Sequence, residues 1–250
     1  MNGYFAEDKL YWMTNLIIDI GNTRIKTALF DGEKLLEEEV FEELKSALVY
    51  WKSVSFDHCL VSSVKWSQIE LQAVLPFQFT YLNPETKLPI TNAYGTPASL
   101  GLDRVAGAIG AWAMRGKGPV LAIDLGTCIT FDLIDGSNTY LGGAISPGLG
   151  MRARAMHEQT ARLPLVDLKV KRAELIGNNT ITCMQIGIWR GVEFELRGQI
   201  EEYIKKFPEI EVFVSGGDAQ SFDSLAKDLI FVVPNLVLYG LNSILNNNVE

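Results

Sequence analysis

The sequence predicts a mixed α/β protein of two sequential lobes with a cleft between them, and three observations carry that prediction. Strand-like and helix-like stretches alternate along all 250 residues. A Gly116-Lys-Gly118-Pro119 break interrupts them near the middle. One acidic, glycine-hinged turn is also written twice, as Leu16-Ile-Ile-Asp19-Ile-Gly21-Asn22-Thr23 and as Leu121-Ala-Ile-Asp124-Leu-Gly126-Thr127.

The elements follow in order. Apolar and alternating runs predict strands near 16–20, 24–30 and 34–40, a helix near 42–53, a strand near 58–63, a helix near 67–74 and a strand near 77–82. A Pro/Gly-rich stretch (Pro84, Pro89, Gly95, Pro97) precedes a helix near 99–114. The pattern then restarts, with strands near 119–124, 129–135 and 138–143 and a helix after Pro147. A long helix near 179–206, a strand at 210–215, a helix near 218–227 and a terminal helix from Pro234 to about Asn246 complete it. The expected division is an N-terminal extension over 1–15, one lobe over 16–116 and a second over 117–250. The segment before Met13 reads either as an extension or as an over-early start codon.

The repeated turn carries the chemistry. In each copy an apolar strand delivers an aspartate, a glycine turns the backbone, small hydroxyl or amide residues follow, and a second strand ends in Asp-Gly at 31–32 and 135–136. Phosphate oxygens must come close enough to accept from backbone N–H groups and Thr hydroxyls, and a β-carbon in the turn obstructs that approach. A phosphate chain normally arrives with Mg²⁺, which takes one or two carboxylates and keeps several waters, a role suited to Asp19. Lys26 adds a point charge on the same hairpin. One Asp-x-Gly alone is a plain β-turn signal; two copies with matching flanks favour a grip on a polyphosphate.

Composition excludes other classes. With 48% hydrophobic and 10% aromatic residues the chain can bury a sizeable core. A formal net charge of −8 argues against a nucleic-acid surface, because phosphate backbones are held by clustered Lys and Arg, and the run Lys169 to Arg172 is short. The cysteines Cys59, Cys128 and Cys183 are far apart and only His58 and His157 accompany them, so neither a disulfide framework nor a zinc site is suggested. No stretch reaches the roughly 18 apolar residues of a membrane helix, and the first fifteen residues lack a secretory pattern, so a cytoplasmic location without a membrane partner is expected.

Further motifs surround the twin turns. Tyr94-Gly-Thr-Pro97-Ala-Ser-Leu-Gly101-Leu102-Asp103-Arg104 sets an aspartate and an arginine side by side where a helix opens, and its unpaired N–H groups welcome an anionic group. Asp103 can take a proton from an attacking hydroxyl while Arg104 offsets charge on a phosphoryl group or a substrate carboxylate; a surface ion pair is the plainer alternative. Gly101, Gly107 and Gly110 on that helix imply close approach of another backbone, from a second helix or a second subunit. Thr180, at the head of the long helix, is an N-cap or a hydroxyl turned toward substrate, the cap being the simpler assignment. Tyr140 to Met151 is a glycine-dense strand exit, and Ser215-Gly216-Gly217-Asp218-Ala219 joins a strand to a helix where a nucleoside ring can lie against bare backbone.

Taken together these segments resemble the type III pantothenate kinases, members of the acetate and sugar kinase, Hsp70 and actin superfamily. The resemblance spans 16–241. It rests on Asp19 to Lys26, Tyr94, Gly101 to Arg104, Asp124-Leu-Gly-Thr-Cys-Ile-Thr-Phe-Asp132, Gly142 to Gly148, Asn179-Thr180 and Ser215 to Ala219. It implies an α/β fold of two ribonuclease H-like (actin-like ATPase) lobes with a nucleotide cleft between them, and ATP-dependent phosphorylation of pantothenate, the first step toward coenzyme A. It further implies Asp103 as the catalytic base beside Arg104, with Tyr94, Gly101, Leu102, Asp103, Arg104 and Thr180 around pantothenate. The ATP residues would be Asp19, Ile20, Gly21, Asn22, Thr23, Arg24, Ile25, Lys26, Thr127, Gly216 and Gly217. Asp124 would hold a monovalent cation (K⁺ or NH₄⁺), Asp19 would meet Mg²⁺ through water, and the family's homodimers set a second subunit near the site. Cys128 departs from the pattern, standing where the resemblance leads one to expect a small residue such as Ala.

Two other readings fit the same superfamily. A kinase of another small alcohol, such as a sugar, is disfavoured by the Gly-Leu-Asp-Arg segment and by the lack of a Cys/His cluster. A non-catalytic nucleotide-binding regulator is disfavoured by the intact set Asp19, Asp103, Arg104 and Asp124.

Overall fold

A computed structural model describes residues 13–169, 174–225 and 229–249. The chain forms two compact units, one ending at Lys87 and taking back the residues from Leu241 onward, the other running Leu88–Gly240.

In the first unit, β1 (Thr14–Ile20), β2 (Ile25–Asp31) and β3 (Lys34–Phe41) form a meander, α1 (Leu44–Trp51) leads to β4 (His58–Ser63), and α2 (Gln68–Val74) to β5 (Thr80–Tyr81). The sheet order is β3-β2-β1-β4-β5, antiparallel within the meander and parallel across β1, β4 and β5. Leu16, Ile18 and Ile20 alternate onto one face with Val61, Ala47, Trp51 and Leu71, so the period-2 pattern of β1 meets the apolar stripes of both helices. The Trp51 indole donates to the Thr27 hydroxyl inside this core at 3.1 Å. A capping box starts α2, where Ser67 and Glu70 exchange bonds. The expected extension over 1–15 is shorter than that among the described residues, because Thr14 and Asn15 belong to β1. Asn15 is buried and donates to Asn242 at 2.8 Å and to Asn246 at 2.6 Å. Residues 1–12 lie outside the described ones.

The second unit opens with β6 (Thr91–Asn92), a 3₁₀ turn at Pro97–Ser99 and α3 (Leu102–Arg115). It continues through β7 (Val120–Leu125), β8 (Cys128–Ile134), β9 (Thr139–Pro147), α4 (Leu149–Glu158), α5 (Thr180–Lys206) and β10 (Glu211–Ser215). The helix expected near 218–227 is a kinked 3₁₀ segment, Ala219–Leu225, and residues 226–228 lie outside the described ones. β11 (Ile230–Val232) and α6 (Leu236–Val249) close the chain. The sheet order is β11-β10-β7-β8-β9-β6. Apart from the added β6, this is the connectivity of the first sheet over again: an antiparallel meander whose first strand also pairs in parallel with the fourth. Met184, Ile188, Val192, Leu196 and Ile200 recur every four residues along α5 and fill one face of this sheet.

The compact units therefore do not coincide with the expected halves 16–116 and 117–250. The Gly116 to Pro119 break is a turn within the second unit: α3 packs on β7, β8 and β10, and Arg115 pairs with Glu211 at 2.9 Å. Gly116 is the left-handed C-cap of α3, with φ of +80°. Of the small residues of α3, Gly110 meets α6 closely and Gly107 is in ordinary contact with it, while Gly101 lies against Asp103 and Arg104 of its own helix. A β-carbon on Gly110 would lie 2.2 Å from the Leu236 carbonyl oxygen, and one on Gly240 would lie 1.7 Å from that of Ala106. The close approach is thus with a helix of the same chain. No helix among the described residues is long and apolar enough to cross a membrane.

Candidate active site

The first unit presents the β1–β2 turn. Asp19 is half-buried near the end of β1, directly opposite Lys26 on β2 and beside the buried Ser62 on β4. The turn closes when the Gly21 N–H donates to the Arg24 carbonyl at 3.0 Å, which leaves Asn22, Thr23 and Arg24 exposed. A cavity of about 240 Å³ opens against it, lined by Ile20 to Ile25, Glu42 to Leu44, Lys65 and Trp66. The predicted residues Asp19, Ile20, Gly21, Asn22, Thr23, Arg24, Ile25 and Lys26 thus form one hairpin and its mouth.

The second unit repeats the arrangement. Asp124 lies opposite Thr130 on β8 and beside Ser215 on β10, whose hydroxyl donates to Asp124 Oδ1 at 3.3 Å. The following turn closes with Gly126 N–H donating to Cys128 at 3.0 Å, and Thr127 stands exposed at its tip. Gly216, at φ +100°, passes so close to this turn that a β-carbon would fall 2.5 Å from the Leu125 backbone, and the Asp218 N–H donates to the Leu125 carbonyl at 3.0 Å. The result is a cavity of about 510 Å³ lined by Gly126, Thr127, Gly150, Arg154, Lys169, Gly217 and Asp218 among others. Burial pushes the Asp218 carboxyl upward from its usual range. Of the residues the sequence singles out, Thr127, Gly217 and Asp218 line this cavity and Gly216 lies beside it, while Arg154 is an addition from the structure. Arg154 sits in no recognisable spacing; the fold of α4 against this turn delivers it. Of the run from Lys169 to Arg172, only Lys169 is among the described residues.

The residues that the resemblance assigns to the acceptor also lie in the second unit, with Tyr94 and Arg104 in contact and Thr180 on a separate helix. Gly101 is the N-cap of α3 and donates no side-chain cap, so Leu102, Asp103 and Arg104 occupy the first turn with its outward N–H groups. Asp103 is exposed, and its Oδ1 accepts from the Arg104 N–H at 2.9 Å. The Arg104 side chain points elsewhere than into a surface pair with Asp103. Its Nη2 and Nε donate to Asp132 Oδ1 at 2.7 and 3.1 Å, and its guanidinium lies 5.8 Å from the centre of the Tyr94 ring. Tyr94 packs against Gly142, which adopts φ of +89° and has no room for a β-carbon, since one would lie 2.8 Å from the ring. Thr180 is exposed in the first turn of α5 but does not cap it. The cap is Asn179, which accepts from the Thr182 N–H at 3.0 Å while Thr182 reciprocates. The simpler sequence assignment for Thr180 is thereby corrected.

Asp132 is 2% exposed, and the Tyr140 hydroxyl donates to the same oxygen at 2.7 Å. Burial pushes its carboxyl above the ordinary carboxylate value, against the pull of hydrogen bonds from Arg104 and Tyr140. Burial works against the Arg104 charge as well, yet the bond and the charge of Asp132 outweigh it and hold the guanidinium more firmly protonated than usual. Burial, followed by the Asp132 charge, pushes the Tyr140 phenol far up, so it stays a donor.

The relatives of this chain agree with what these residues suggest. The family model for type III pantothenate kinase matches residues 15–205. Proteins named type III pantothenate kinase from Bacteroides fragilis, Phocaeicola vulgatus and Cytophaga hutchinsonii are 40%, 41% and 39% identical to it. Each is matched over 94% of this chain and over 98%, 98% and 100% of its own length. Among solved structures the chain is similar to a Baf-family protein of Campylobacter jejuni (TM-score 0.59, 21% identity, 93% of this chain and 98% of that one). It is similar also to the ROK hexokinase of Thermus thermophilus (TM-score 0.51, 14% identity, 95% and 100%). At such identities the likeness is one of fold, and it agrees with the predicted class of α/β protein with two ribonuclease H-like sheets of the actin-like ATPase type. With its family model matched over residues 15–205 and a relative 40% identical over 94% of its length, the chain belongs to the type III pantothenate kinase family.

Proposed function

We propose that the chain transfers the γ-phosphate of ATP to the primary hydroxyl of pantothenate, giving 4'-phosphopantothenate and ADP, the first step of coenzyme A biosynthesis. The observation that carries this reading is the placement of Asp103 and Arg104 in the uncapped opening turn of α3, in a chain 40% identical over 94% of its length to proteins named for that activity. The Asp103 carboxylate accepts the hydroxyl proton as the alcohol oxygen bonds to phosphorus and the bond to the ADP oxygen breaks. Arg104 offsets anionic charge on the acceptor, and Tyr94, Gly101, Leu102 and Thr180 line it. Alignment and charge neutralisation are the main demands that phosphoryl transfer makes of a protein.

On the nucleotide side, Asp19, Ile20, Gly21, Asn22, Thr23, Arg24, Ile25 and Lys26 are assigned to the phosphates, Thr127 to the second hairpin's share of them, and Gly216 and Gly217 to the nucleoside. Mg²⁺ accompanies ATP and neutralises phosphate charge; a carboxylate such as Asp19, met through water, suits its preference for oxygen ligands. Asp124 is assigned a K⁺ or NH₄⁺ ion. The oxygen-rich surroundings support this: Asp124 lies opposite Thr130 in the register, and the Ser215 hydroxyl, which donates to Asp124 Oδ1 at 3.3 Å, stands beside it. A homodimer and a cytoplasmic location complete the reading.

A coupled ADP-release assay tests it. ADP release that depends on pantothenate, and not on glucose or polyphosphate, is expected. Release with glucose alone would transfer the chain to another alcohol acceptor, and no release with any of them would favour a nucleotide-binding regulator.

A further inference from the structure

Buried carboxylates need a reason, and Asp132 is among the most enclosed ionisable groups described here, at 2% exposure on β8 between Phe131 and Leu133 of the core. Its contacts are concentrated. Oδ1 accepts from Arg104 Nη2 at 2.7 Å, from Arg104 Nε at 3.1 Å and from the Tyr140 hydroxyl at 2.7 Å, while Oδ2 stands 3.4 Å from Arg104 Nε. Asp132 and Tyr140 sit on adjacent antiparallel strands, β8 and β9, so the oxygen that receives Arg104 is itself held by the sheet. The guanidinium thus has its Nε–Nη2 edge engaged from one side and a ring, that of Tyr94, 5.8 Å from its centre.

An arginine fork binds a carboxylate well only when the fork is already oriented, because an unrestrained side chain loses rotamer freedom on binding. With one edge paired to Asp132, the Nη1 edge lies outside that pairing and its direction is set by the sheet rather than by solvent. We propose that Asp132, braced by Tyr140, is a positioning residue that orients Arg104 toward the carboxylate of the acceptor, and so contributes to the choice of a carboxylate-bearing alcohol over a neutral one. The inference rests on the reading of the chain as a pantothenate kinase and adds to it a determinant of acceptor specificity, carried by a residue that need not touch the acceptor.

The test compares two acceptors, pantothenate and its alcohol analogue in which a hydroxymethyl group replaces the carboxylate, in the unmodified protein, in Asp132→Asn and in Tyr140→Phe. Asp132→Asn is expected to lower the ratio of kcat/KM for pantothenate over that for the alcohol on the order of tenfold, the scale of one charge-assisted hydrogen bond, while KM for ATP stays within about twofold. Tyr140→Phe is expected to lower the ratio less, in the same direction. A merely structural pair would depress both acceptors alike and leave the ratio intact, and an unchanged ratio in a folded Asp132→Asn variant overturns the inference. Should Asp132→Asn fail to fold, Tyr140→Phe decides: a ratio that falls supports the positioning role, and one that stays put overturns it. An unmodified protein that turns over neither acceptor would overturn the functional reading, and with it the inference; turnover of pantothenate with an indifferent Asp132 overturns the inference alone.

Discussion

Asp19 and Asp124 occupy equivalent positions in two sheets of the same connectivity. Each is the next-to-last residue of the meander's first strand, with Lys26 or Thr130 opposite on the antiparallel neighbour and Ser62 or Ser215 beside it on the parallel one. The equivalence is of backbone; the residue type across each hairpin differs. The residue opposite Asp19 in the register is a lysine, and the one opposite Asp124 is a threonine.

The cation proposed for Asp124 sets the first expectation. If Asp124 takes its cation from solution, exchanging K⁺ for Na⁺ at constant ionic strength lowers turnover by roughly tenfold, the equivalent of about 1.4 kcal/mol of barrier. Steady-state rates in the two salts measure it, and equal rates would count against a cation there.

Removing Arg104 affects the fold as well as the site. The pair with Asp132 is buried, at 10% and 2% side-chain exposure, so Arg104→Ala leaves a carboxylate without its countercharge, at a cost of about 3–5 kcal/mol. The sign with pH follows. Asp132 already has a raised carboxyl in the folded state, and losing Arg104 raises it further. A raised carboxyl contributes stability that is present below the unfolded value, near 3.9, and is lost as pH climbs through the folded one. Urea unfolding of the variant should therefore show a deficit that shrinks toward acid pH; one constant from pH 7.5 to pH 4.5 would contradict this.

The contact between α3 and α6 depends on the absence of side chains. Gly240→Val would drive a β-carbon into the Ala106 carbonyl, and Gly110→Val one into that of Leu236. Each is expected to lower stability by about 1–3 kcal/mol or more, read as a fall in melting temperature.

Asn179 and Thr180 are neighbours with separable roles. Asn179→Ala removes the cap of α5 and should cost about 1 kcal/mol in unfolding free energy. Thr180→Ala leaves the capping box whole, so its unfolding curve should match the parent while KM for pantothenate rises. A stability loss at Thr180, with KM unmoved, would return it to a purely structural part.

Much of this was legible in the sequence because it rests on local rules. Period-2 runs such as Leu16–Ile18–Ile20 and the four-residue stripe from Met184 to Ile200 announce strand and helix without any knowledge of their partners. The repeated Asp-x-Gly turn placed both hairpins. Less legible was whatever depends on remote pairing. β6 and β11 are two and three residues long and exist through their neighbours, which no window of sequence displays. The Gly116 to Pro119 break looked like a boundary between lobes because Gly and Pro mark turns of every kind; the packing of α3 on β7, β8 and β10 makes it an internal one. The cap of α5 fell to Asn179, one residue before Thr180, since both types cap and only geometry chooses. Asp132 was in view as the last residue of the second motif, but nothing in its spacing reveals that Arg104, 28 positions earlier, reaches it.

The catalytic role proposed for the α3 carboxylate is tested most directly by Asp103→Asn, with turnover of pantothenate and ATP binding measured on the same preparation. Turnover should fall by roughly 10²-fold or more, the scale of losing a general base, while the ATP dissociation constant stays within about twofold, because Asp103 is assigned to the acceptor rather than to the nucleotide. Near-full turnover in a folded variant would contradict the assignment and send the search for the base to another residue.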